Sequence, residues 1–198
     1  MGLALEYIEG QTPIDEDEKE GLKIKTISTR GELDEFEQKN IEEAIEWSIR
    51  RKFTIEEILT QEFIFGVHKR MFNFVWNWAG KLRKTNKNIG VDKFQISVEL
   101  RKVLDDCQFW IDHSTFEPDE IAIRFKHRLV QTHIFPNGNG RHSRLCADIL
   151  ISHGFNRPVF SWGTANLTKK GESRKKYLHA IYKADQGIYG PLIKFARS

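Results

Sequence analysis

The chain has few cysteines, no long apolar run and little excess charge of either sign. Cys107 and Cys146 have no partner at metal-binding spacing, so we interpret both as small core residues of a reducing compartment. No run approaches the roughly 20 apolar residues that a membrane helix needs. Lys and Arg total 31 against 28 Asp and Glu, and this net charge of +3 is too small to argue for nucleic-acid binding.

The N-terminus also lacks the features of a secretory signal. Residues 1–20 have no basic start followed by an apolar stretch, so we expect no signal peptide and a cytoplasmic location. The rest of the composition is globular, with 39% hydrophobic and 12% aromatic residues among 198. This length predicts one domain, or one domain with a small extension.

The apolar spacing predicts a mainly α-helical chain. Helices are expected over residues 32–52, 54 to about 76, 97–112, 118–132, 139–153 and 171–185, with a short one after Pro191. Residues 82–96 hold Asn88, Gly90 and Asp92 between short β-prone pieces, which predicts a hairpin. The apolar positions that define the first long helix are Leu33, Phe36, Ile41, Ala44, Ile45 and Ile49.

The stretch from His133 to Arg144, H-I-F-P-N-G-N-G-R-H-S-R, lies between two predicted helices. Gly138 and Gly140 allow positive φ and close approach of a ligand to the backbone. They precede a helix whose first amide groups lack internal partners. Such a turn is a concave nest for an anion, and the helix dipole favours negative charge there.

Charged side chains complete this motif. Arg141 and Arg144 are three residues apart, hence on one helix face, and both guanidinium groups can bind phosphate in a forked geometry. His133 stands at the other end of the loop, and an ordinary pKa of about 6.5 suits a general base near neutral pH. The residues alone therefore predict a phosphate-binding loop beside a base, which favours phosphoryl or nucleotidyl transfer.

The same stretch resembles the signature of the Fic family, H-x-F-x-(D/E)-G-N-G-R-x-x-R, with Asn137 at the position that is usually acidic. The segment around Trp78-Ala79-Gly80 is similar to the family's lead into a target-docking flap. The resemblance extends over roughly residues 54–197, and the whole chain resembles the group called mobile mystery protein B, which is linked to mobile genetic elements. Further positions similar to the family's C-terminal helix are Tyr177, Ala180, Ala184, Gly187 and Pro191-Leu192.

This resemblance implies a Fic-type helical bundle with a small β-hairpin flap, made of an extension at 1–53 and a Fic domain at 54–198. It implies transfer of AMP from ATP to a Ser, Thr or Tyr hydroxyl of a target protein, with His133 taking the hydroxyl proton. Arg141 would bind the β-phosphate and Arg144 the γ-phosphate, and Tyr177 would line the adenine pocket. The residues expected to line the hole for the α- and β-phosphates are Gly138, Asn139 and Gly140.

The resemblance also implies a metal and a docking surface. The acidic residue that Asn137 replaces holds Mg²⁺ in the family, so Mg²⁺ is expected here with weaker protein ligation. A target segment would pair with the edge of the 82–96 hairpin. On sequence alone, that hairpin is equally compatible with a plain structural element or with a nucleic-acid contact through Arg83, Lys84, Lys87 and Lys93.

A partial match to the family's inhibitory pattern, (S/T)-x-x-x-E-(G/N), begins at Ser28, with Leu33 at the final position. The resemblance implies that Glu32 binds Arg144 at rest and holds ATP in an unproductive pose. The alternative is that Glu32 is a first-turn acid that the helix dipole favours.

Other functions stay open at this stage. His133 could merely cap the preceding helix. The site could transfer a different nucleotide, such as UMP or GMP, or act as a Doc-like kinase, although that family usually has Lys where Gly140 stands. From a different class, the chain could be a non-catalytic regulatory module of a mobile element. A homodimer is neither indicated nor excluded, because apolar helix faces can serve a core or an interface.

Overall fold

The computed structural model describes residues 12–164, 167 and 171–198, and this part is mainly helical. Helix α7 continues into a π-helical turn at Leu150–Gly154, and a 3₁₀ turn lies at Trp162–Thr164. The α-helices are α1 (Glu16–Lys19), α2 (Arg30–Arg50), α3 (Ile55–Ile58), α4 (Gln61–Phe72), α5 (Ile96–Asp112), α6 (Pro118–Thr132), α7 (Asn139–Ile149), α8 (Glu172–Asp185) and α9 (Gly190–Ala196).

Local signals set most of these boundaries. Helix α6 begins at Pro118, whose missing N–H is not needed in a first turn, and ends at Thr132, as the sequence predicts. The Thr54–Glu57 capping box does open a helix, but that helix stops after one turn, and Thr60 caps the separate α4. Helix α4 then ends at Phe72, a few residues earlier than expected.

The predicted β-hairpin at 82–96 is wrong. The segment is irregular, and in the described part of the chain the strand-like pairing consists of one isolated antiparallel bridge, between Leu22 and Trp76. Side chains hold the segment in place of a ladder. Arg83 donates to the carbonyls of Thr85 and Val91, and the Asn86 side chain bonds Asp92 and the Lys93 amide.

Helix α2 buries a stripe that contains polar residues. Leu33, Ile41 and Ala44 are buried as predicted, whereas Phe36 and Ile49, which the apolar pattern included, are exposed. The remaining positions of the buried stripe are Glu37, Asn40 and Ser48.

The helices that flank the glycine-rich turn lie at the centre of the molecule. Helix α6 packs between α5 and α7, helix α4 packs on α7 and α2, and α8 packs on α9. Buried side chains of the predicted extension, such as Leu33, join the same apolar cluster as Phe125 of α6. The start of that extension, residues 1–11, lies outside the described residues.

No helix within the described ranges has both the length and the apolar character that crossing a bilayer would require.

Candidate active site

His133 lies at the end of α6 in a left-handed backbone conformation, with φ 52° and ψ 64°. Few non-glycine residues adopt this conformation, and where it occurs it is often tied to function. The turn breaks the helix and aims the next residues, Ile134 and Phe135, into the core, where both are buried. His133 can therefore end helix α6 and present its imidazole to the site at the same time.

Arg83 fixes the backbone at this turn. Its Nε donates to the His133 carbonyl at 2.6 Å, and its backbone amide donates to the Ile134 carbonyl at 3.1 Å. The guanidinium is buried, with 3% of Arg83 exposed, and it also donates to the carbonyls of Thr85 and Val91. These hydrogen bonds make Arg83 a positioning residue for His133, and its burial argues against a contact with nucleic acid at the surface.

Gly90 covers the side chain of His133. Its φ is +101°, and a Cβ added there would lie 2.5 Å from the His133 Cβ, which is well inside van der Waals contact. Only glycine can therefore hold this position without displacing the histidine.

The environment keeps the His133 imidazole neutral. Burial lowers its pKa to about 4, and the positive charges of Arg83 and Lys87 act in the same direction, while the Val130 carbonyl opposes them. A neutral ring at pH 7 has one nitrogen able to accept a proton, as a general base requires. Nε2 faces the hydroxyl of Thr12, with 3.2 Å between Nε2 and Oγ1.

The glycine-rich turn is held by its own polar groups. The Asn139 side chain accepts from the Phe135 amide at 3.0 Å and donates to the Phe135 carbonyl at 2.8 Å. The predicted phosphate ligand Asn139 is thus a clamp through its side chain, and only its backbone amide remains for an anion at the N-terminus of α7. Gly138 has φ +78° and packs against the Phe72 ring, whereas Gly140 has open space where a Cβ would be.

His68 holds the glycine-rich turn through hydrogen bonds and ring packing, a role that no pattern in the sequence indicated. Its Nδ1 accepts the Gly80 amide at 2.9 Å, so its Nε2 carries the proton and donates to the Asn137 carbonyl at 3.0 Å. The ring stacks on Phe135 at 3.7 Å between centroids. Burial holds the pKa of His68 well below its usual value, which preserves this neutral form.

Arg141 projects from the first turn of α7 and forms an ion pair with Glu37 at 2.6 Å. Glu37 is 2% exposed, and its other oxygen accepts the indole N–H of Trp76 at 2.6 Å. The Arg141 guanidinium also lies 4.9 Å above the Phe72 ring. A predicted phosphate ligand is therefore held by a carboxylate on α2, and sequence reasoning missed Glu37 because buried acids are rare.

Arg144 lies one turn further along α7, with its guanidinium 5.7 Å from the centre of the Tyr177 ring. The Tyr177 hydroxyl accepts a 2.6 Å hydrogen bond from Lys126, which is fully buried. Burial tends to raise the pKa of the Tyr177 phenol, but Lys126 and Arg144 outweigh it and lower that pKa. Lys126 is a second buried charge that sequence reasoning missed.

A cavity of about 670 Å³ joins these groups. Its volume lies within the usual range for a small-molecule site. The polar turn and His133 line this cavity, and helix α8 contributes apolar lining through Leu178 and Ile181. The predicted site residues that line the cavity are His133, Asn137, Gly138, Asn139, Gly140, Arg141, Arg144 and Tyr177.

The oxygen and the nitrogen of the Asn137 side chain are both already hydrogen-bonded, and its role as a magnesium ligand stays a prediction. Its side-chain oxygen accepts the Gly138 amide at 2.7 Å and its nitrogen donates to the Thr12 carbonyl at 2.9 Å. One neutral oxygen that is already hydrogen-bonded is a poor ligand for a cation that prefers charged oxygens. Across the described residues there is no group of three His, Cys, Asp or Glu side chains arranged to hold a metal.

Glu32 is not brought to Arg144. Its carboxylate accepts from the Ser28 amide at 2.8 Å, the Ser28 hydroxyl at 3.2 Å and the Thr29 amide at 3.0 Å. These bonds lower the Glu32 pKa and cap α2, which is the helix-acid alternative. The predicted pair is not formed here because the carboxylate is bound to the start of its own helix.

The fold and the site together define a helical protein in which the N-terminus of α7 and a buried neutral imidazole line one cavity. Residues 58–151 match the sequence profile of the Fic/DOC family. This match assigns residues 58–151 to the Fic/DOC family, as the motif predicted, and the mobile mystery protein B grouping stays a prediction.

Known proteins with similar sequences and structures agree. The protein adenylyltransferase Fic of Nematostella vectensis is 24% identical over 168 residues, which are 82% of this chain but 37% of that protein. The N-terminal Fic domain of a cell filamentation protein from Bartonella quintana superposes with a TM-score of 0.69 at 16% identity, over 88% of this chain and 84% of that one. BepC of Bartonella tribocorum, solved with bound AMPPNP, gives 0.65 at 18% identity, over 96% and 93%. These structures confirm the Fic-type helical fold.

Proposed function

We propose that this chain transfers AMP from ATP to a hydroxyl side chain of a protein, with His133 as the general base. The observation that carries the proposal is the shared cavity: a neutral imidazole, the N-terminus of α7 and two arginines all face one space of nucleotide size. The name protein adenylyltransferase, borne by relatives of 24–26% identity, supports the same chemistry.

The proposed step follows from the positions of the groups. The phosphates lie at the α7 N-terminus, where backbone amides and the helix dipole favour negative charge. His133 Nε2 takes the proton of the acceptor hydroxyl, whose oxygen attacks the α-phosphorus as pyrophosphate leaves. Tyr177 and the apolar residues of α8 would surround the base. Gly140 leaves room for the β- and γ-phosphates, which favours AMP transfer over transfer of the γ-phosphate.

Mg²⁺ is not assigned to a protein ligand in this proposal. If the metal takes part, the triphosphate oxygens supply its charged ligands. Binding and proton transfer rest on the residues above.

Control of the site is assigned to a different acid from the one that the sequence suggested. Glu37 accepts from Nη1 of Arg141, so a phosphate that binds this guanidinium competes with the ion pair. Glu37 is therefore the stronger candidate for autoinhibition. An inhibitory role of Glu32 stays a prediction without a supporting contact.

Target docking is assigned to the 82–96 loop. Gly90 of this loop touches His133, and Ile89 and Phe94 on either side are exposed, Phe94 by 84%. Because the loop is irregular, we expect its side chains to bind a target, in preference to pairing of a target strand with the loop backbone. The cytoplasmic location and a homodimer stay predictions.

The test is transfer of radioactive phosphorus from ATP to proteins of a cell lysate, in buffer with Mg²⁺. ATP labelled at the α position should label protein, and ATP labelled at the γ position should not. His133→Ala should lower labelling by about 10²–10⁴-fold, the usual contribution of a general base. The control is His113→Ala, because His113 is exposed at the end of α5.

Two results would contradict the proposal. Label from the γ position alone would indicate a kinase. Absence of label from any nucleotide, including with the Glu37→Gln variant that frees Arg141, would favour the non-catalytic module. Label from UTP or GTP instead of ATP would keep the chemistry and change the nucleotide.

A further inference from the structure

The segment before α1 places a hydroxyl group on the proposed base. Thr12 Oγ1 lies 3.2 Å from Nε2 of His133, within hydrogen-bond distance. Thr12 lines the same cavity as the glycine-rich turn and the two arginines, and 8% of it is exposed. The hydroxyl therefore lies at hydrogen-bond distance from the proposed base and borders the cavity in which the proposed function places ATP.

The backbone of Thr12 is anchored by the site itself. Its carbonyl accepts from the Asn137 side chain at 2.9 Å. Asn137 replaces the acidic residue of the signature, and a carboxylate in its place could not donate this bond. The departure from the signature thus creates the contact that holds Thr12 in position.

The residues after Thr12 are bound to the 82–96 loop, the surface assigned to target docking. Lys87 forms ion pairs with Asp15 at 2.8 Å and with Glu18 at 2.6 Å, and 3% of its side chain is exposed. Thr85 donates to Asp15 at 2.7 Å. This segment of the chain therefore lies against the loop to which the proposed function assigns the target.

We propose that Thr12 is a self-modification site, whose hydroxyl accepts AMP within the same chain; the idea rests on the proposed function. Oγ1 forms a bond to the α-phosphorus of ATP, and the bond from that phosphorus to the bridging oxygen of the β-phosphate breaks. Pyrophosphate leaves with the bonding electron pair. The hydroxyl proton passes to Nε2 of His133, and the product is a threonine–AMP phosphodiester.

A purely structural role for Thr12 predicts a different outcome. A neutral buried hydrogen bond contributes to folding but requires no reaction, so Thr12 would stay unmodified in the presence of ATP. The two roles are distinguished by whether Thr12 carries AMP after incubation with ATP.

The first experiment incubates the purified full chain with ATP and Mg²⁺ and follows intact mass and peptide sequence by mass spectrometry. We expect one AMP group on Thr12. The Thr12→Ser variant should keep the modification at this position, because serine offers the same hydroxyl, and Thr12→Val should lose it. His133→Ala should show no modification. Thermal unfolding of each variant checks that the loss comes from the missing hydroxyl and not from an unfolded chain.

A second experiment tests whether the reaction is intramolecular. The fraction of Thr12 modified per minute should not depend on protein concentration. A tagged His133→Ala chain, with its Thr12 intact, should stay unlabelled when mixed with the untagged wild-type chain. Labelling of that inert chain, or a rate that rises with concentration, would overturn the intramolecular assignment.

The inference and the proposed function fail in different ways. AMP on lysate proteins with an unmodified Thr12 overturns the inference and leaves the enzyme intact. AMP on another hydroxyl of the purified chain, with Thr12 unmodified, also overturns it. Absence of AMP on every protein, with both wild type and Glu37→Gln, overturns both.

Discussion

At the scale of single residues, His133 depends on what surrounds its ring and backbone. The sequence motif identified the histidine, but not the Arg83 side chain that holds its carbonyl or the Gly90 that covers its Cβ. These partners are distant from His133 along the chain, so only the folded arrangement shows them. The glycines of the motif indicated the structure of the turn only in part. Gly138 has positive φ and packs against Phe72, whereas Gly140 faces open space.

Gly90→Ala should impair catalysis more than stability. The added methyl group would lie 2.5 Å from the His133 Cβ and push the imidazole off its position. A displacement near 1 Å can lower a rate by about 100-fold. We expect a loss of this order in AMP transfer, measured as initial rate of label incorporation.

Gly187→Ala is the matched control for Gly90→Ala. Gly187 also has positive φ, +82°, but has no atom within 4 Å of an added Cβ. Both variants should lose on the order of 1–2 kcal/mol in urea unfolding from the left-handed backbone. Gly90→Ala should lose more than Gly187→Ala because its methyl group must displace His133, and only Gly90→Ala should lose activity. Equal activity in the two variants would refute the role of Gly90.

At the scale of elements, helix α2 shows where sequence patterns succeed and fail. Its helical period was predictable, because Leu33, Ile41 and Ala44 lie on one face. Its buried face was only half predicted, since Glu37 and Asn40 are buried and Phe36 is exposed. Both polar side chains find partners, Glu37 on Trp76 and Arg141, and Asn40 on the backbone of Arg70 and Phe74. Polar residues such as these are buried because they find hydrogen-bond partners in other elements. The hydropathy of helix α2 alone does not reveal those partners.

The 82–96 segment failed as a strand prediction for a related reason. Turn residues and short β-prone pieces were present, but the apolar positions Ile89 and Phe94 have no sheet to pack on and stay exposed. Arg83 and Asn86 satisfy the backbone groups that a ladder would have paired.

Glu32→Gln should weaken the start of α2 without activating the enzyme. The carboxylate caps its own helix, so the variant loses charge-assisted bonds to the Ser28 and Thr29 amides. Glu57→Gln is a matched control, because Glu57 completes the same kind of capping box at α3. We expect small, similar decreases in melting temperature and unchanged label transfer for both. A rise in labelling with Glu32→Gln alone would restore Glu32 as the brake.

At the scale of the whole molecule, buried histidines make stability depend on pH. Burial lowers the pKa of His142 to about 4, and its Nε2 bonds the Ile64 carbonyl at 2.9 Å. The unfolded chain binds a proton there near pH 6.5, so the folded state is favoured above that pH. This contribution is lost as the pH falls from about 6.5 towards 4. Asp148 acts in the opposite direction, because burial raises its pKa to about 6.

His142→Gln isolates this effect from the other groups. Between pH 6 and 5, the unfolding free energy of the wild type should fall more steeply than that of the variant. The difference in slope should approach ~1.4 kcal/mol per pH unit, which corresponds to one proton. Urea unfolding at several pH values measures the difference. Parallel curves would show that His142 takes up its proton in the folded state as well.

The overall architecture was the most predictable level. The helical class, the bounds of α6 and the loop between α6 and α7 followed from periodicity, Pro118 and glycine placement. The packing of α2 on α4, with the contact of Glu37 to Arg141, and the approach of Thr12 to His133 did not. Both contacts join residues that are far apart along the chain, and local patterns carry no information about them.

The hydrogen bond from Trp76 to Glu37 gives the protein an internal optical probe. The indole N–H and Arg141 share one carboxylate, so a nucleotide that draws Arg141 away changes the electric field at the buried indole. Its fluorescence should respond to ATP before any chemistry occurs, including in His133→Ala, and the response should disappear in Trp76→Phe. Titration of that emission would yield the nucleotide affinity directly, without a radioactive tracer or a known target.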